Sequence, residues 1–402
     1  MAERQPLSQT LRSLPAGIWL LGFVSLLMDV SSELIHSILP LFMVTVLGTS
    51  MVTVGLIEGI AEATAAIVKV FSGTFSDYLG KRKWILVTGY GLSALTKPIF
   101  PLANTIGWVF TARFLDRIGK GIRGAPRDAL IADITPPPLR GAAYGLRQGL
   151  DSVGACLGPL LALLLMTLMA ENLRTVMWLG AVPAILAVLL LATAVREPEH
   201  RQATGKKMTL SAATLRELPL HFWLVALLGS VFTLARFSEA FLVLRAPDSG
   251  IGLSHVPLVM VIMNVVYALL AYPAGQISDH RSPFALLLAG LAALIASDVL
   301  LALAHSPAPV YAGAVLWGLH LALTQGLLSK LVADTAPAEM RGTAFGLFHL
   351  VSGIALLLAS LIAGLLWQRY GAFATFAAGA VFASITAAGL LLYRFAVPRN
   401  TA

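Results

Sequence analysis

The residues best suited to move protons lie close together near the N-terminus. Asp29, Ser32, Glu33 and His36 have the spacing of residues on a single face of a helix. In partly dry surroundings, carboxylates and an imidazole that lie close together can take up and release protons near neutral pH. We therefore assign proton coupling to Asp29, Glu33 and His36. The alternative is that these residues pair with arginines and only hold the protein together.

A second charged stretch follows between residues 113 and 128. Its charged residues are Arg113, Asp116, Arg117, Lys120, Arg123, Arg127 and Asp128. On a helix all of them fall within an arc of about 140°. Five cations on one face suggest an anionic substrate, because arginine and lysine supply both charge and hydrogen-bond donors. The apolar segments of the first half, however, contain eight basic and eight acidic residues, so a balanced network of internal salt bridges is the alternative.

Cofactor and metal sites are not indicated. Gly119-x-Gly121-x-x-Gly124 has the spacing of a dinucleotide fingerprint, but no strand precedes it and no βαβ unit is possible there. Cys156 is the one cysteine, which excludes an internal disulfide and a cysteine-based metal site. We find no histidine and acid spacing that specifies a metal, and we expect no cofactor.

The composition requires that lipid surrounds these residues. Of the 402 residues, 57% are hydrophobic and 12% are charged, against roughly 45–50% and about 25% in a soluble domain. Such a chain cannot enclose its apolar surface in a water-facing globule. The net charge of +8 is not accompanied by a basic segment with interleaved aromatic residues, so we expect no nucleic-acid partner.

Twelve apolar segments of helical length predict twelve transmembrane spans. They are Pro15–Leu47, Val52–Gly73, Trp84–Ile106, Val109–Ile134, Ala143–Leu168, Met177–Val195, Leu218–Leu244, Val256–Ile277, Phe284–Ala304, Pro309–Val332, Ala344–Trp367 and Ala372–Tyr393. The termini and the even-numbered loops carry fifteen lysines and arginines, while the other loops carry Arg174, Arg245 and Arg369. By the positive-inside rule, both termini lie in the cytoplasm, and the protein is a multi-pass protein of the cytoplasmic membrane.

Two loop sequences occur twice at almost the same spacing. The segment that begins Gly73-Thr-Phe-Ser-Asp77 returns 202 residues later as Gly275-Gln-Ile-Ser-Asp279, and Asp133-Ile-Thr-Pro136 returns 201 residues later as Asp334-Thr-Ala-Pro337. This repeat predicts a duplicated unit. The expected fold is an all-α membrane protein of twelve transmembrane helices, arranged as two six-helix bundles with pseudo-two-fold symmetry. The bundles are residues 1–195 and 218–402, and residues 196–217 form a cytoplasmic linker.

The chain resembles the major facilitator superfamily over essentially its whole length. The loop after span two matches that superfamily's signature between spans two and three, although Tyr78 stands where a basic residue is usual. The resemblance implies a gating role for this loop and its counterparts, in which charged side chains reach helix dipoles and stabilise one conformation. The gating residues are Gly73, Asp77, Gly80, Lys81, Arg82, Asp279, Arg140 and Arg341.

The fourth and fifth spans extend the resemblance. Arg113 matches the superfamily's arginine-bearing fourth-span motif, and Gly154-Ala-Cys-Leu-Gly158-Pro159 is similar to the fifth-span motif of its antiporters, which implies export. The alternative for Gly154, Gly158 and Pro159 is ordinary close helix packing.

Several charged residues outside the fourth span are candidate substrate or cavity residues. Arg147 and Asp151 in span five are candidate cavity residues and are better explained as partners of the span-four charges. In span seven, Arg236 and Glu239 lie one turn apart, so they contribute to the cavity or pair with each other. With the charged residues 113–123 of span four, these four complete the predicted substrate site.

These features predict a secondary transporter and not an enzyme. No phosphate-binding loop of the G-x-x-x-x-G-K-[ST] type is present, so the energy comes from an ion gradient, and we expect protons. The expected activity is proton-coupled antiport that exports a small solute by alternating access, and the expected partners are the substrate, protons and membrane lipids. We expect a monomer. The alternatives are a proton-coupled importer of an anionic metabolite or siderophore, a lipid flippase, and a membrane-embedded enzyme.

Overall fold

The computed structural model describes residues 13–79, 81–196, 218–280, 283–336 and 341–396, and in these ranges the only regular structure is helical. The α-helices are α1 Ala16–His36, α2 Leu39–Thr45, α3 Met51–Leu79, α4 Arg82–Thr96, α5 Ile99–Leu102, α6 Ile106–Ile134, α7 Arg140–Leu168, α8 Leu173–Ala194, α9 Leu220–Leu234, α10 Ala240–Asp248, α11 Leu258–His280, α12 Pro283–Ala302, α13 Pro307–Thr335, α14 Arg341–Tyr370 and α15 Ala372–Ala396. The all-α prediction is confirmed.

Most of the predicted spans are long and apolar enough to cross a membrane. Nine such stretches occur in the described part of the chain. The other three spans are the strongly charged α6, the α9–α10 pair and α13. Because the apolar side chains of these helices are exposed along one side, as Trp84 and Leu269 are, lipid rather than water is their solvent.

Three spans that we predicted as continuous helices are interrupted. Span one breaks between α1 and α2, and span three breaks between α4 and α5. Pro40 and Pro98 lie at these two breaks, where proline removes a backbone donor and clashes with the preceding turn. Span seven breaks at residues 235–239, between α9 and α10, without a proline or glycine in the interruption. The predicted placement of Arg236 and Glu239 one turn apart on a helix is therefore wrong.

Several residues that we assigned to loops lie in helices. Asp77 and Asp279 fall inside the last turns of α3 and α11, and Arg140 and Arg341 are the first residues of α7 and α14. The hydropathy signal ends earlier than these helices do, because the last turns contain polar residues that still form backbone hydrogen bonds. The predicted linker 196–217 lies almost entirely outside the described residues.

The duplication is visible in the helix boundaries. α6 and α13 each contain 29 residues, and their first residues, Ile106 and Pro307, are 201 positions apart. The same offset relates the first residues of α4 and α12, and those of α7 and α14. An offset of 201 therefore identifies equivalent positions in these helices of the two halves.

Contacts divide the chain into two compact units. The described parts of Met1–His36 and Thr64–Met208 form the first unit, and those of Ser37–Ala63 and Thr209–Ala402 form the second. In the first unit, α1 packs against α7 and α8, and α4 packs against α6. In the second, α13 packs against α11 and α12, and α12 also packs against α15. α3 contributes to both units, because its residues up to Ala63 belong to the second.

The first part of α3 lies directly against α14 inside the second unit. A methyl group on Gly55 would collide with the carbonyl oxygen of Ser360, and one on Gly59 would lie 2.9 Å from the Cα atom of Leu357. Such distances leave no room for a side chain on this face of α3. Backbone approach of this kind is typical of transmembrane helix pairs that associate through small residues.

Candidate functional site

The charged residues of the first unit form a series of contacts between α1 and the helices beside it, which we call the charge ladder. The ladder begins at the end of α1, where the Nε2 atom of His36 lies 2.5 Å from a terminal nitrogen of Arg113 on α6. The Nδ1 atom of His36 lies 3.8 Å from a carboxylate oxygen of Glu33, one turn earlier. His36 therefore contacts a cation on one side and an acid on the other.

These contacts specify the protonation state of His36. A guanidinium group can only donate hydrogen bonds, so Nε2 must be the acceptor and the proton of a neutral ring must be on Nδ1. That proton faces Glu33. Protonation of Nε2 would place a second donor against Arg113 and break the contact. The pair His36–Arg113 is thus incompatible with a fully protonated imidazole.

Lys97 and Asp116 form the next contact of the ladder. The Nζ atom of Lys97, the C-cap of α4, lies 3.0 Å from the Oδ1 atom of Asp116 on α6 and donates to the hydroxyl of Ser32 on α1 at 3.0 Å. Lys97 is 1% exposed and Asp116 is 3% exposed. The other carboxylate oxygen of Asp116 lies 4.0 Å from Nε of Arg117. This is a buried ion pair that spans three helices.

Asp29 occupies the middle of the ladder and differs from its neighbours. Its Cβ atom packs against Gly154 of α7, where an added methyl would lie 3.0 Å away. Its carboxylate is acted on by the negative charge of Asp151 and by the positive charges of Lys120, Arg123 and Arg127. In the described part of the chain, however, this carboxylate forms no hydrogen bond and no ion pair. Asp29 is a partly buried acid held by the surrounding field alone.

A four-membered cluster of charges closes the ladder at its other end. Arg127 of α6 donates to the hydroxyl of Ser25 on α1 at 2.7 Å and lies 3.6 Å from the carboxylate of Asp151 on α7. Asp151 is bonded to Arg147, one turn away, at 2.7 Å. Arg147 also lies 3.5 Å from Asp128. Every member of this cluster has an opposite charge within 4 Å.

The register of these contacts shows how the helices run. Moving from His36 to Ser25 along α1, about 16 Å of helix, the partners on α6 change from Arg113 to Arg127. α1 and α6 are therefore antiparallel and in register, so that one face of each presents polar groups to the other. The predicted stripe of α6 is largely buried, although Lys120 is exposed.

Sequence reasoning missed the contributions of α4. The hydroxyl of Tyr90 lies 3.0 Å from that of Ser25, and Arg123 donates to Ser93 at 2.6 Å while its guanidinium lies 4.7 Å from the centre of the Tyr90 ring. Tyr90, Ser93 and Lys97 are spaced by three and four residues, which puts them on one face of α4. That spacing is the signal that would have identified them.

The described gating residues give one firm contact. Arg82, the first residue of α4, is buried and forms an ion pair with Asp133 at the end of α6, at 2.7 Å. Lys81 and Arg140 are exposed. Gly80 lies outside the described residues. The same holds for side-chain detail at Gly73, Asp77, Asp279 and Arg341, of which the structure gives only the helical backbone.

The small residues of α7 divide into two groups. A methyl on Gly158 would lie 2.8 Å from the backbone of α1, and Gly154 is similarly close to α1. Pro159 is buried beside them. At Gly149, in contrast, an added methyl would meet nothing within 4 Å. The part of α7 that resembles the antiporter motif is therefore the part that contacts the helix carrying Asp29.

The second unit carries fewer charges. Arg236 and Glu239 lie in the interruption between α9 and α10, and both act electrostatically on Tyr267 of α11. The hydroxyl of Tyr267 donates to Gln325 of α13 at 3.2 Å. In the described residues, no group of three or more histidine, cysteine, aspartate or glutamate side chains is arranged to hold a metal ion.

Known proteins match both the sequence and the fold. A sequence profile of the Major Facilitator Superfamily matches residues 21–354 and again residues 240–402. An uncharacterized MFS-type transporter of Methanocaldococcus jannaschii is 34% identical over 391 residues, which is 95% of each chain. The multidrug resistance protein MdtH of Yersinia enterocolitica is 30% identical over 171 residues, 42% of each chain.

The solved structures show the same architecture. The crystal structure of the nucleoside transporter NupG superposes with a TM-score of 0.80 at 14% identity, covering 94% of this chain and 99% of that one. At this identity the likeness concerns the fold alone. Together with the profile and the archaeal relative, it confirms the twelve-helix fold and the family. The chain belongs to the Major Facilitator Superfamily and is a multi-pass membrane transporter.

Proposed function

We propose that the protein is a proton-coupled antiporter that exports a small solute across the cytoplasmic membrane by alternating access, as a monomer with both termini in the cytoplasm. The observation that carries this proposal is the state of Asp29. It is a carboxylate in the middle of a transmembrane helix, surrounded by charges, with no direct partner in the described residues. Intramembrane acids of this kind commonly mark proton pathways.

The electrostatics of the ladder suggest how a proton on Asp29 is felt by its surroundings. Ionised Asp29 attracts Lys120, Arg123 and Arg127 and repels Asp151. Protonation removes both effects at once. The remaining charges then rebalance along α6 and α7, and these are the helices whose relative positions are fixed by the ion pairs at either end of the ladder. Asp29 is therefore placed to bias a conformational equilibrium through its charge.

His36 and Glu33 supply a second proton-sensitive point at the end of α1. Protonation of His36 on Nε2 would break its contact with Arg113, because two donors would face each other. The positive ring would at the same time be drawn to Glu33, 3.8 Å away. We propose that this exchange connects proton binding to the movement of Arg113, and that Arg113, Arg117 and Lys120 respond to the substrate.

Two considerations support export. The partial relative MdtH is named a multidrug resistance protein, and the glycines that resemble the antiporter motif pack against the proton-binding helix. The ion pairs of Lys97, Arg127 and Arg147 satisfy much of the positive charge internally. A neutral or cationic solute is therefore compatible with the site, while an anionic metabolite or siderophore carried inward is the alternative. The gating role of Arg82 and Asp133 stays a proposal.

The test compares Asp29→Asn with Asp128→Asn in purified protein. A thermal-shift screen against cationic drugs, nucleosides, anionic metabolites and siderophores first identifies a compound that stabilises the wild type. Proteoliposomes that contain a pH-sensitive dye then report proton movement when that compound is added. We expect Asp29→Asn to bind the compound and exchange it across the membrane, yet to move no protons and to show no gradient-driven accumulation.

Asp128→Asn is the matched control. It also removes one carboxylate from the first unit, but Asp128 is 39% exposed at the rim of the charge cluster and should leave coupling intact. Gradient-driven transport at the wild-type rate in Asp29→Asn would overturn the coupling assignment. Equal loss of coupling in both variants would show that any charge change in the unit suffices, and would remove the special role of Asp29.

One observation favours lipid as a second candidate substrate. The second unit contains a cavity of about 540 Å³ lined by apolar side chains of α9, α12, α13 and α15, among them Leu227, Phe284, Leu331 and Ile385. Leu227 and Ile385 are exposed, which is the lateral apolar opening that a flippase needs. Movement of fluorescent phospholipid between leaflets, abolished by Leu331→Trp, would support a flippase. A rate equal to that of protein-free liposomes would exclude it.

A further inference from the structure

Asp298 is the most unusual buried group in the second unit. It lies near the end of α12, and its side chain is 0% exposed. Neither carboxylate oxygen has a hydrogen-bond partner among the described residues. An ionised carboxylate in an apolar interior without a partner is so costly that the group takes up a proton instead.

The walls around Asp298 are tight on one side and adjoin a void on the other. A methyl on Gly379 of α15 would lie 2.6 Å from Oδ2 of Asp298 and 3.0 Å from the ring of Phe237. Phe237 belongs to the interruption between α9 and α10, and its ring packs on Trp317 at 5.6 Å. Beside Phe237 and Gly379 lies a cavity of about 10 Å³, which is about the smallest volume that holds a water molecule.

The repeat gives an independent comparison. The offset of 201 residues that relates α4 to α12 and α6 to α13 carries Lys97 onto Asp298 and Asp116 onto Trp317. In the first unit these positions form the buried ion pair Lys97–Asp116. In the second unit the cation is replaced by an acid, and the acid by an indole whose Nε1 atom also lacks a partner among the described residues. The same scaffold position therefore holds a compensated charge in one half and an uncompensated acid in the other.

No described charged group compensates Asp298. α12 packs against α11, α13 and α15. The titratable side chains that the structure describes on those helices are Tyr267, Tyr272, Tyr311 and His320. The ring of His320 is oriented by its Nδ1 contact with the carbonyl of Gly290, and Arg245 of α10 is bonded to the carbonyls of Leu301 and Ala304 at the end of α12. None of these groups forms a printed bond or ion pair with Asp298, in agreement with both its oxygens lacking partners.

We propose that Asp298 is a second proton-binding site, which holds a proton while Phe237 and Gly379 enclose it and exchanges that proton with water when the interruption between α9 and α10 moves. Interrupted transmembrane helices are the elements at which transporters bind ions and change conformation. The step is a simple protonation, in which a carboxylate oxygen gains a proton from water through the small cavity and returns it by the same route. No other bond forms or breaks.

The inference does not depend on the proposed export function, because it concerns the purified protein without substrate. Infrared spectroscopy of the full chain in lipid vesicles resolves the C=O band of a protonated carboxyl group. We expect the wild type to show such a band at neutral pH, Asp298→Asn to lose it, and Asp128→Asn to keep it. In D₂O the wild-type band should shift as the proton exchanges.

Each result decides the matter. Identical carboxyl bands in the wild type and Asp298→Asn would mean that Asp298 is ionised, and would overturn the proposal. A band that never shifts in D₂O would make Asp298 a permanently neutral structural acid and would also overturn it. If Asp298→Asn does not fold, Gly379→Ala replaces it, because the added methyl presses on Oδ2 and should change the band frequency. Loss of coupling in Asp29→Asn with the Asp298 band intact would separate this site from the proposed transport mechanism.

Discussion

Removal of Asp116 alone should destabilise the protein more than removal of Lys97 alone, although the two residues form one ion pair. Asp116 lies 3.0 Å from Lys97 and 4.0 Å from Arg117, and two charges about 4 Å apart attract by about 4 kcal/mol at an effective dielectric constant near 20. Breaking a buried pair from one side costs about 3–5 kcal/mol. Asp116→Asn leaves two cations without their acid, so we expect about 5 kcal/mol. Lys97→Met leaves Asp116 beside Arg117, so we expect about 3 kcal/mol.

The double variant gives the decisive comparison. Once Asp116 is gone, the charge of Lys97 has no buried partner and its removal relieves a penalty. Lys97→Met combined with Asp116→Asn should therefore cost no more than Asp116→Asn, which implies an interaction energy of about 3 kcal/mol. Equilibrium unfolding in mixed micelles, followed by tryptophan fluorescence and far-ultraviolet circular dichroism, measures the three free energies of unfolding. Additive costs, or a larger cost for Lys97→Met, would refute the assignment of a coupled buried pair.

Two further predictions concern stability. Gly158→Ala should cost about 1–3 kcal/mol, because the new methyl would lie 2.8 Å from the backbone of α1; Gly149→Ala on the same helix meets open space and should be neutral or stabilising, and equal effects in thermal unfolding would contradict the packing. Arg245→Met should cost about 1–3 kcal/mol for each of the carbonyls of Leu301 and Ala304 that it leaves without a donor. An unchanged unfolding temperature for Arg245→Met would show that water or another group satisfies those carbonyls.

The sequence predicts the twelve spans and the duplication well, because both depend on signals that are summed over many residues. It does not predict where a span is interrupted. Pro40 and Pro98 give a local reason for two of the interruptions, and a closer reading of proline positions would have found them. The interruption around Arg236 has no such residue. There the backbone departs from a helix within an otherwise ordinary apolar span, which only the tertiary contacts of Phe237 with Trp317 and Phe376 explain.

The candidate site was predicted in part for a similar reason. Helical periodicity places Asp29 and His36 on one face of α1 and Arg113 on one face of α6, and those faces are indeed turned to each other in the first unit. Periodicity cannot say which acid meets which cation. Lys97 was counted as one charge among many, yet its contacts with Ser32 and Asp116 join three helices. Pairing is a property of how helices are placed in space, and a single sequence does not contain it.

The position of the first part of α3 has a consequence for the protein as two separate polypeptides. If the gene were divided in the region that encodes residues 196–217, the second polypeptide would contain α14 but not Gly55 and Gly59, against which Leu357 and Ser360 lie. That fragment would expose an apolar helix surface shaped to fit another backbone. Coexpression of both fragments should therefore rescue a second fragment that is degraded when it is made alone, and Gly55→Leu in the first fragment should abolish the rescue.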